Sequence, residues 1–139
     1  MMRYDGRRVL VTGAGSGIGQ ATVVRMLSEG ARVVAADISE SGLADTVATT
    51  DAQARDRLTT IVMNIAEEES VRSGVAEAVS RLGGLDALVN AAGILRSSHT
   101  ATTTLADFEQ VLRVNLIGTF LVIREAIGAL IEGEDAAVV

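Results

Sequence analysis

Arg8-Val9-Leu10-Val11-Thr12-Gly13-Ala14-Gly15-Ser16-Gly17-Ile18-Gly19 is the stretch that decides how this 139-residue chain folds. Arg8 to Val11 reads as a short apolar strand that runs directly into a glycine-rich turn. Gly17 to Glu29 then reads as a helix with Val23, Val24, Met26 and Leu27 packing inward, and Gly30 is placed to end it. A strand, a glycine turn and a helix in this order aim the free N–H groups and the positive dipole end of the helix at an anion such as a pyrophosphate. Close approach of backbone to ligand needs residues without a Cβ, and the sharp turn needs positive φ. Gly13, Gly15, Gly17 and Gly19 supply both, with Ser16 and Ile18 between them. The spacing is Thr-Gly-x-x-x-Gly-Ile-Gly rather than G-x-G-x-x-G, because Ile18 stands where the third glycine of that pattern would fall. The strand before the turn and the helix after it favour a phosphate site over a plain glycine-rich bend.

The rest of the chain repeats the alternation. Arg32 to Ala36 is a second strand closed by Asp37, and Ser41 to about Asp56 reads mostly as helix. Leu58 to Met63 is a third strand. Glu67 to Leu82 is a helix with three acids at the positive end of its dipole and Gly83-Gly84 at its close. Leu85 to Val89 is a fourth strand, followed by a polar loop from Asn90 to about Thr103. A long helix begins near Thr104, where Thr104-Leu105-Ala106-Asp107 fits a capping box with Asp in place of Glu, and extends to about Glu132. Its apolar residues Leu105, Phe108, Val111, Leu112, Leu116, Phe120 and Ile123 are expected to be mainly core. Ala136 to Val139 opens a fifth strand. Strands alternating with helices imply parallel pairing through right-handed crossovers, and near-continuous apolar strands imply a sheet covered on both faces. The expected fold is α/β: a three-layer, Rossmann-type, doubly wound parallel sheet of order 3-2-1-4-5, one nucleotide-binding domain over residues 1–139, truncated in the fifth strand.

Composition narrows the function classes. Apolar residues make up 48% of the chain and aromatics 2%, so the core is built of aliphatic side chains. A net charge of −6, with arginine as the only cation type, argues against nucleic acid and against an anionic membrane surface as partners. The absence of cysteine excludes disulfides and thiolate metal sites, and the single histidine, His99, builds no metal site alone. His99 is expected to be solvent-exposed on its loop. The N-terminus lacks the apolar segment of a signal peptide, and no apolar run approaches the roughly 18 residues of a membrane span, so a cytoplasmic protein is expected.

Asp37 is the second candidate binding residue. A carboxylate at the end of the second strand accepts both hydroxyls of an adenosine ribose and repels a 2′-phosphate. The next residue is Ile38 rather than arginine or lysine, and Ser16 is uncharged, so NAD is favoured over NADP. The competing reading is that Asp37 caps the helix that follows.

With these residues in place, the chain resembles the short-chain dehydrogenase/reductase (SDR) family over the N-terminal half of a member. The resemblance rests on Thr12-Gly13-Ala14-Gly15-Ser16-Gly17-Ile18-Gly19, Asp37, Asn90-Ala91-Ala92-Gly93 and Val114-Asn115-Leu116-Ile117-Gly118-Thr119-Phe120, in order and at the family's spacing. It implies that Asn90, Ala91 and Gly93 line the cofactor's ribose and help hold the central sheet. It implies that Asn64 and Ile65 contact adenine, Asn64 standing where the family usually has Asp, and that Ile38 and Val114 are further cofactor contacts. Asn115 matches the asparagine of the family's catalytic tetrad, which bends its helix and helps hold a water of the proton relay. The plainer reading of Asn115, a buried polar residue tying down helix backbone, stays open beside it.

The same resemblance implies a hydride transfer between nicotinamide and an alcohol or ketone, with the proton moved by a tyrosine whose pKa a lysine lowers, and the substrate oxygen placed by a serine. The chain contains no lysine, and its one tyrosine, Tyr4, precedes the first strand. Three readings follow: the cofactor-binding half of an NAD-dependent oxidoreductase, inactive alone; a stand-alone NAD-binding module without catalysis; or an interaction protein built on half a fold. A homo-oligomer is expected, through the long helix 104–132 and the open edge of the fifth strand.

Overall fold

A computed structural model describes residues 2–139. Five strands, β1 (Arg8–Thr12), β2 (Arg32–Asp37), β3 (Leu58–Val62), β4 (Ala87–Asn90) and β5 (Ala137–Val138), form one sheet in the order β3-β2-β1-β4-β5. Every pairing is parallel, with Val9 opposite Val33 and Ala87, Val33 opposite Leu58, and Ala87 opposite Ala137. This is the doubly wound order read from the sequence.

Alternation along the strands divides the core. Val9, Val11, Val33 and Ala35 face α1 (Gly17–Ser28) and α2 (Glu40–Thr49), while Leu10, Val34, Ala36 and Leu88 face α3 (Glu68–Leu82) and α5 (Thr119–Ile131). In α1, Val23 and Leu27 are fully buried, and Val24 and Met26 are half-buried. The helix ends at Glu29, with Gly30 in the left-handed region at φ 97°. Arginines hold several element ends, as their forked donors suit them to do. Arg57 donates to the Leu27 and Ala31 carbonyls, both at 2.9 Å, and Arg32 to the Leu82 carbonyl at 2.9 Å. Arg7 donates to the carbonyls of Glu134 and Asp135, both at 2.7 Å, fixing the turn into β5.

Three expectations are corrected. The helix expected over 41–56 stops at Thr49 and is followed by a separate 3-10 helix, Ala52–Arg57. The Thr49 and Thr50 hydroxyls donate back to the Thr46 carbonyl, and Asp51 accepts from the Gln53 N–H, so local side-chain bonds compete with the ladder there.

The second correction concerns the long helix, which is continuous but not uniform: α4 (Leu105–Leu112), a π-helical segment (Arg113–Gly118), then α5. Leu105, Phe108, Leu112, Leu116 and Phe120, expected in the core, are exposed, and Val111 and Ile123 are half-buried. The face that packs inward is Gly118, Leu121, Val122, Ala126 and Leu130, where small residues admit close approach to α3 and the sheet.

The third correction follows from the second. The helix from Leu105 to Ile131 has 27 residues and is long and apolar enough to span a membrane by length and composition, contrary to the expectation that no segment is. Exposed Arg124 pairs with Glu68 at 2.6 Å, at the start of α3.

Candidate functional site

The glycine turn is built as its sequence requires. Gly13 and Gly17 take left-handed backbone, φ 64° and 53°. A Cβ on Gly19 would lie 2.0 Å from the Gly13 carbonyl oxygen, so α1 sits directly on the turn. A Cβ on Gly13 would lie 2.5 Å from the Ala92 nitrogen, which brings the loop after β4 against the same turn. Thr12 Oγ1 accepts the Ala92 N–H at 3.3 Å across that contact. Ser16 is the N-cap residue of α1, with extended backbone and no side-chain cap bond, and Ser16, Gly17 and Ile18 line an open cleft. The first-turn N–H groups of α1 thus meet a space large enough for a ligand.

Asp37 joins this turn to the start of the helix after it without being that helix's cap residue. Its Oδ2 accepts the Gly15 N–H at 2.8 Å and its Oδ1 the Ser39 N–H at 2.8 Å. The cap of α2 is Ser39, whose hydroxyl accepts from the Gly42 N–H at 3.0 Å. Each Asp37 oxygen retains acceptor capacity towards the cleft, and no arginine pairs with it among the described residues. A Cβ on Gly15 would lie 2.9 Å from the Asp37 carboxyl carbon, so only glycine fits beneath that carboxylate. Sequence reasoning missed the lock behind the turn. Buried Thr46 donates its hydroxyl to the Ala14 carbonyl at 2.7 Å and accepts from Gln20 Nε2 at 3.0 Å. A threonine in a polar helix carries no signal of that role.

The opposite wall comes from the loop after β4 and from the long helix. Ala91, Ala92, Gly93 and Ile94 line the cleft, while Asn90 lies behind them in the sheet. The Asn90 N–H and Nδ2 both donate to the Val139 carbonyl, at 2.7 and 3.2 Å, and its Oδ1 is buried with no partner. Asn115, within the π segment, grips the Ile94 backbone from both sides: Nδ2 donates to its carbonyl at 2.9 Å and Oδ1 accepts its N–H at 2.8 Å. Asn115 is exposed and ties a neighbouring loop, not its own helix, so the reading of a buried residue fixing helix backbone is corrected.

The cleft holds about 1040 Å³. The structure brings Gly13, Ser16, Gly17, Ile18, Asp37, Ile38, Asn64, Ile65, Ala91, Gly93 and Val114 to its lining; Gly15, Gly19, Asn90 and Asn115 lie outside it and shape it from behind. Among the residues not singled out by sequence, Met63, Ala66, Glu109, Gln110 and Arg113 also line it. Ser16 is the one hydroxyl of the lining, and Tyr4 lies at the far end of the sheet, its N–H on the Glu29 carbonyl at 2.9 Å. His99 is exposed on the loop before α4 and is not part of the lining.

A family model described as short chain dehydrogenase matches residues 7–139. The chain is 33% identical over 138 residues to a 3-oxoacyl-[acyl-carrier-protein] reductase of Thermotoga maritima, covering 99% of this chain and 56% of that protein. It is 35% identical over 139 residues to the levodione reductase of Leifsonia aquatica, covering 99% of this chain and 52% of that protein. Among solved structures, a short-chain dehydrogenase/reductase of the glucose/ribitol dehydrogenase type from Brucella melitensis superposes with a TM-score of 0.90 at 31% identity, over 99% of this chain and 56% of that one. The chain spans about half the length of the curated relatives it matches.

Proposed function

This chain belongs to the short-chain dehydrogenase family, and from that premise we propose that it is the cofactor-binding part of an NAD-dependent oxidoreductase acting on an alcohol or ketone. The observation that carries the reading is the Asp37 carboxylate, held by the Gly15 N–H beside the open first turn of α1. That pairing sets a ribose acceptor beside a pyrophosphate site, and among the described residues no arginine pairs with the carboxylate to offset its repulsion of a 2′-phosphate. The residues fit a dinucleotide on physical grounds: a cradle at Gly17 with nothing within 4 Å of a Cβ, an uncapped helix start, and exposed Ile18 and Ile38 for flat rings.

The roles follow the geometry. Ser16, Gly17 and Ile18 hold the pyrophosphate through backbone N–H groups, Gly15 gives its N–H to Asp37 beside them, and Gly13 and Gly19 keep turn and helix in contact. Asp37 accepts the adenosine ribose hydroxyls. Ile38, Asn64, Ile65 and Val114 enclose adenine, and Asn90, Ala91 and Gly93 support the second ribose. When bound, the nicotinamide supplies a site that takes or gives a hydride. Asn115 fixes the Ile94 backbone and so orients the loop beside which the proton relay of the family runs. The serine, tyrosine and lysine of that relay have no counterpart in these residues, so catalysis belongs to the whole protein. The relatives are named for reactions at carbonyl and alcohol carbons, which supports the substrate class. The acidic charge supports a protein that engages neither nucleic acid nor an anionic membrane surface. Self-association through the long helix completes the reading.

Calorimetric titration of this chain with NAD and with NADP tests it. Saturable NAD binding, weaker for NADP and lost in Asp37→Ala, is expected. Binding NADP as tightly rules out the assignment of Asp37, and a folded chain that binds neither means that the site needs more of the protein than these residues. NAD binding by an intact protein that turns over no alcohol or ketone would favour the binding module without catalysis, the reading that the lack of lysine keeps in play.

A further inference from the structure

One wall of the cleft is a short loop, residues 63–67, and most of what holds it is local. The Asn64 N–H donates to Ser70 Oγ at 2.9 Å. Asn64 Oδ1 accepts the Ala66 N–H at 3.0 Å, and the Asn64 carbonyl accepts the Glu67 N–H at 3.1 Å. These bonds set the loop's shape but not its distance from the long helix.

Two contacts set that distance, and both come from the π segment. Arg113 Nε donates to the Ala66 carbonyl at 2.8 Å. Gly118 passes so close that a Cβ there would lie 2.8 Å from Ile65 Cγ1 and 2.9 Å from the Ile65 carbonyl oxygen. Arg113 opens the segment and Gly118 closes it. Residues five apart are about 140° apart around an α-helix, at about 100° per residue. In a π turn, whose bonds run from i to i+5, the wider coil brings residues five apart much closer to one face. The π segment is therefore what lets Arg113 and Gly118 meet the same loop.

We propose that Arg113 is a positioning residue for the purine-reading loop, acting through the Ala66 carbonyl to hold the Asn64 amide where it selects a 6-amino purine. The inference rests on the cofactor reading above and deepens it. A guanidinium bond to a carbonyl is charge-assisted and directional, and it spans from one wall of the cleft to the other. Asn64 Oδ1 already takes the Ala66 N–H, so its remaining acceptor direction is fixed by where Ala66 sits. Moving Ala66 turns that acceptor away from an exocyclic amine. Loss of Arg113 thus costs discrimination between purines, and not merely affinity.

The test uses the intact protein and two probes, NAD and its hypoxanthine analogue, which carries a 6-oxo group in place of the amine. Wild type is expected to prefer NAD. Arg113→Met is expected to weaken NAD binding about tenfold, equivalent to about 1.4 kcal/mol, and to weaken the analogue less, so that the preference narrows. Arg113→Lys, which keeps a cationic donor, is expected to retain most of it. The proposal is overturned if Arg113→Met weakens both dinucleotides by the same factor, which marks a general structural role, or leaves both unchanged. It is also overturned if wild type binds both equally, since Asn64 then reads no amine. Wild type that binds neither dinucleotide defeats the cofactor reading itself, an outcome distinct from the others.

Discussion

The same one-methyl change is expected to act in opposite directions at Gly19 and Gly128. At Gly19 an added Cβ would meet backbone, the Gly13 carbonyl oxygen at 2.0 Å and its carbon at 2.6 Å, and no side-chain motion relieves that. Gly19→Ala must push α1 off the turn, at a cost of about 1–3 kcal/mol. Gly128 lies inside α5 with nothing within 4 Å of its Cβ position and with no left-handed backbone to satisfy. Gly128→Ala removes chain entropy from the unfolded state and is expected to stabilise by about 0.4–1 kcal/mol. Urea denaturation of the two variants checks both signs. A Gly19→Ala protein as stable as wild type would mean that the turn tolerates displacement and that its contact with α1 is not what fixes the phosphate cradle.

The elements differ in how far the sequence discloses them, and the reasons are physical. β1, the turn and α1 are legible because an apolar run, four glycines and a buried stripe of Val23 and Leu27 leave one arrangement open. The Asp37 position follows from the end of β2. The long helix is less legible because it carries apolar residues on most of its circumference, so periodicity does not say which stripe turns inward. Packing is decided instead by two small residues, Gly118, which lies against Ile65, and Ala126, which is buried with the residues of α3 and the sheet. Nothing in the residue spacing announces an i to i+5 turn, so the Arg113 contact could not be read. Nor could the Thr46 lock, which depends on which way one hydroxyl points.

Helix ends raise a further case. Glu29 sits at the negative end of α1, where a carboxylate alone is unfavourable. It is nearly buried, and the guanidinium groups of Arg3 and Arg25 both donate to it, which lowers its carboxyl from 4.5 to about 2. A carboxyl depressed by folding stabilises the folded state above its unfolded value, and that contribution is lost as pH falls through the folded one. Glu29→Gln is therefore expected to be less stable than wild type at neutral pH, with the gap closing between about 4.5 and about 2. Denaturant midpoints across that range check it; a gap independent of pH would mean that Glu29 acts by shape alone.

At the scale of the whole molecule, what is left uncovered matters as much as what is packed. Leu105, Phe108, Leu112, Leu116, Phe120, Ile127 and Ile131 recur every three, four or seven residues along one helix and are all exposed. At 1.5 Å per residue they make an apolar stripe about 39 Å long. Soluble surfaces rarely carry so continuous a patch unless something covers it. β5 adds a second open feature, a two-residue strand bonded to β4 on one side and exposed. For the 139-residue chain in solution, self-association through the stripe is the expected outcome. Leu116 and Phe120 are 63% and 57% exposed, so charges there do not disturb the core formed by Leu121 and Val122 on the inner face. Each such side chain contributes about 1.5–3 kcal/mol when fully buried. The double variant Leu116→Glu with Phe120→Glu is therefore expected to weaken association at least about a hundredfold. Light scattering of wild type and double variant across a concentration series, with circular dichroism to show that both are folded, makes the measurement. A wild-type chain that stays monomeric, or a double variant that associates as strongly, would move the contact away from the stripe and leave the open edge of β5 as the remaining surface for it.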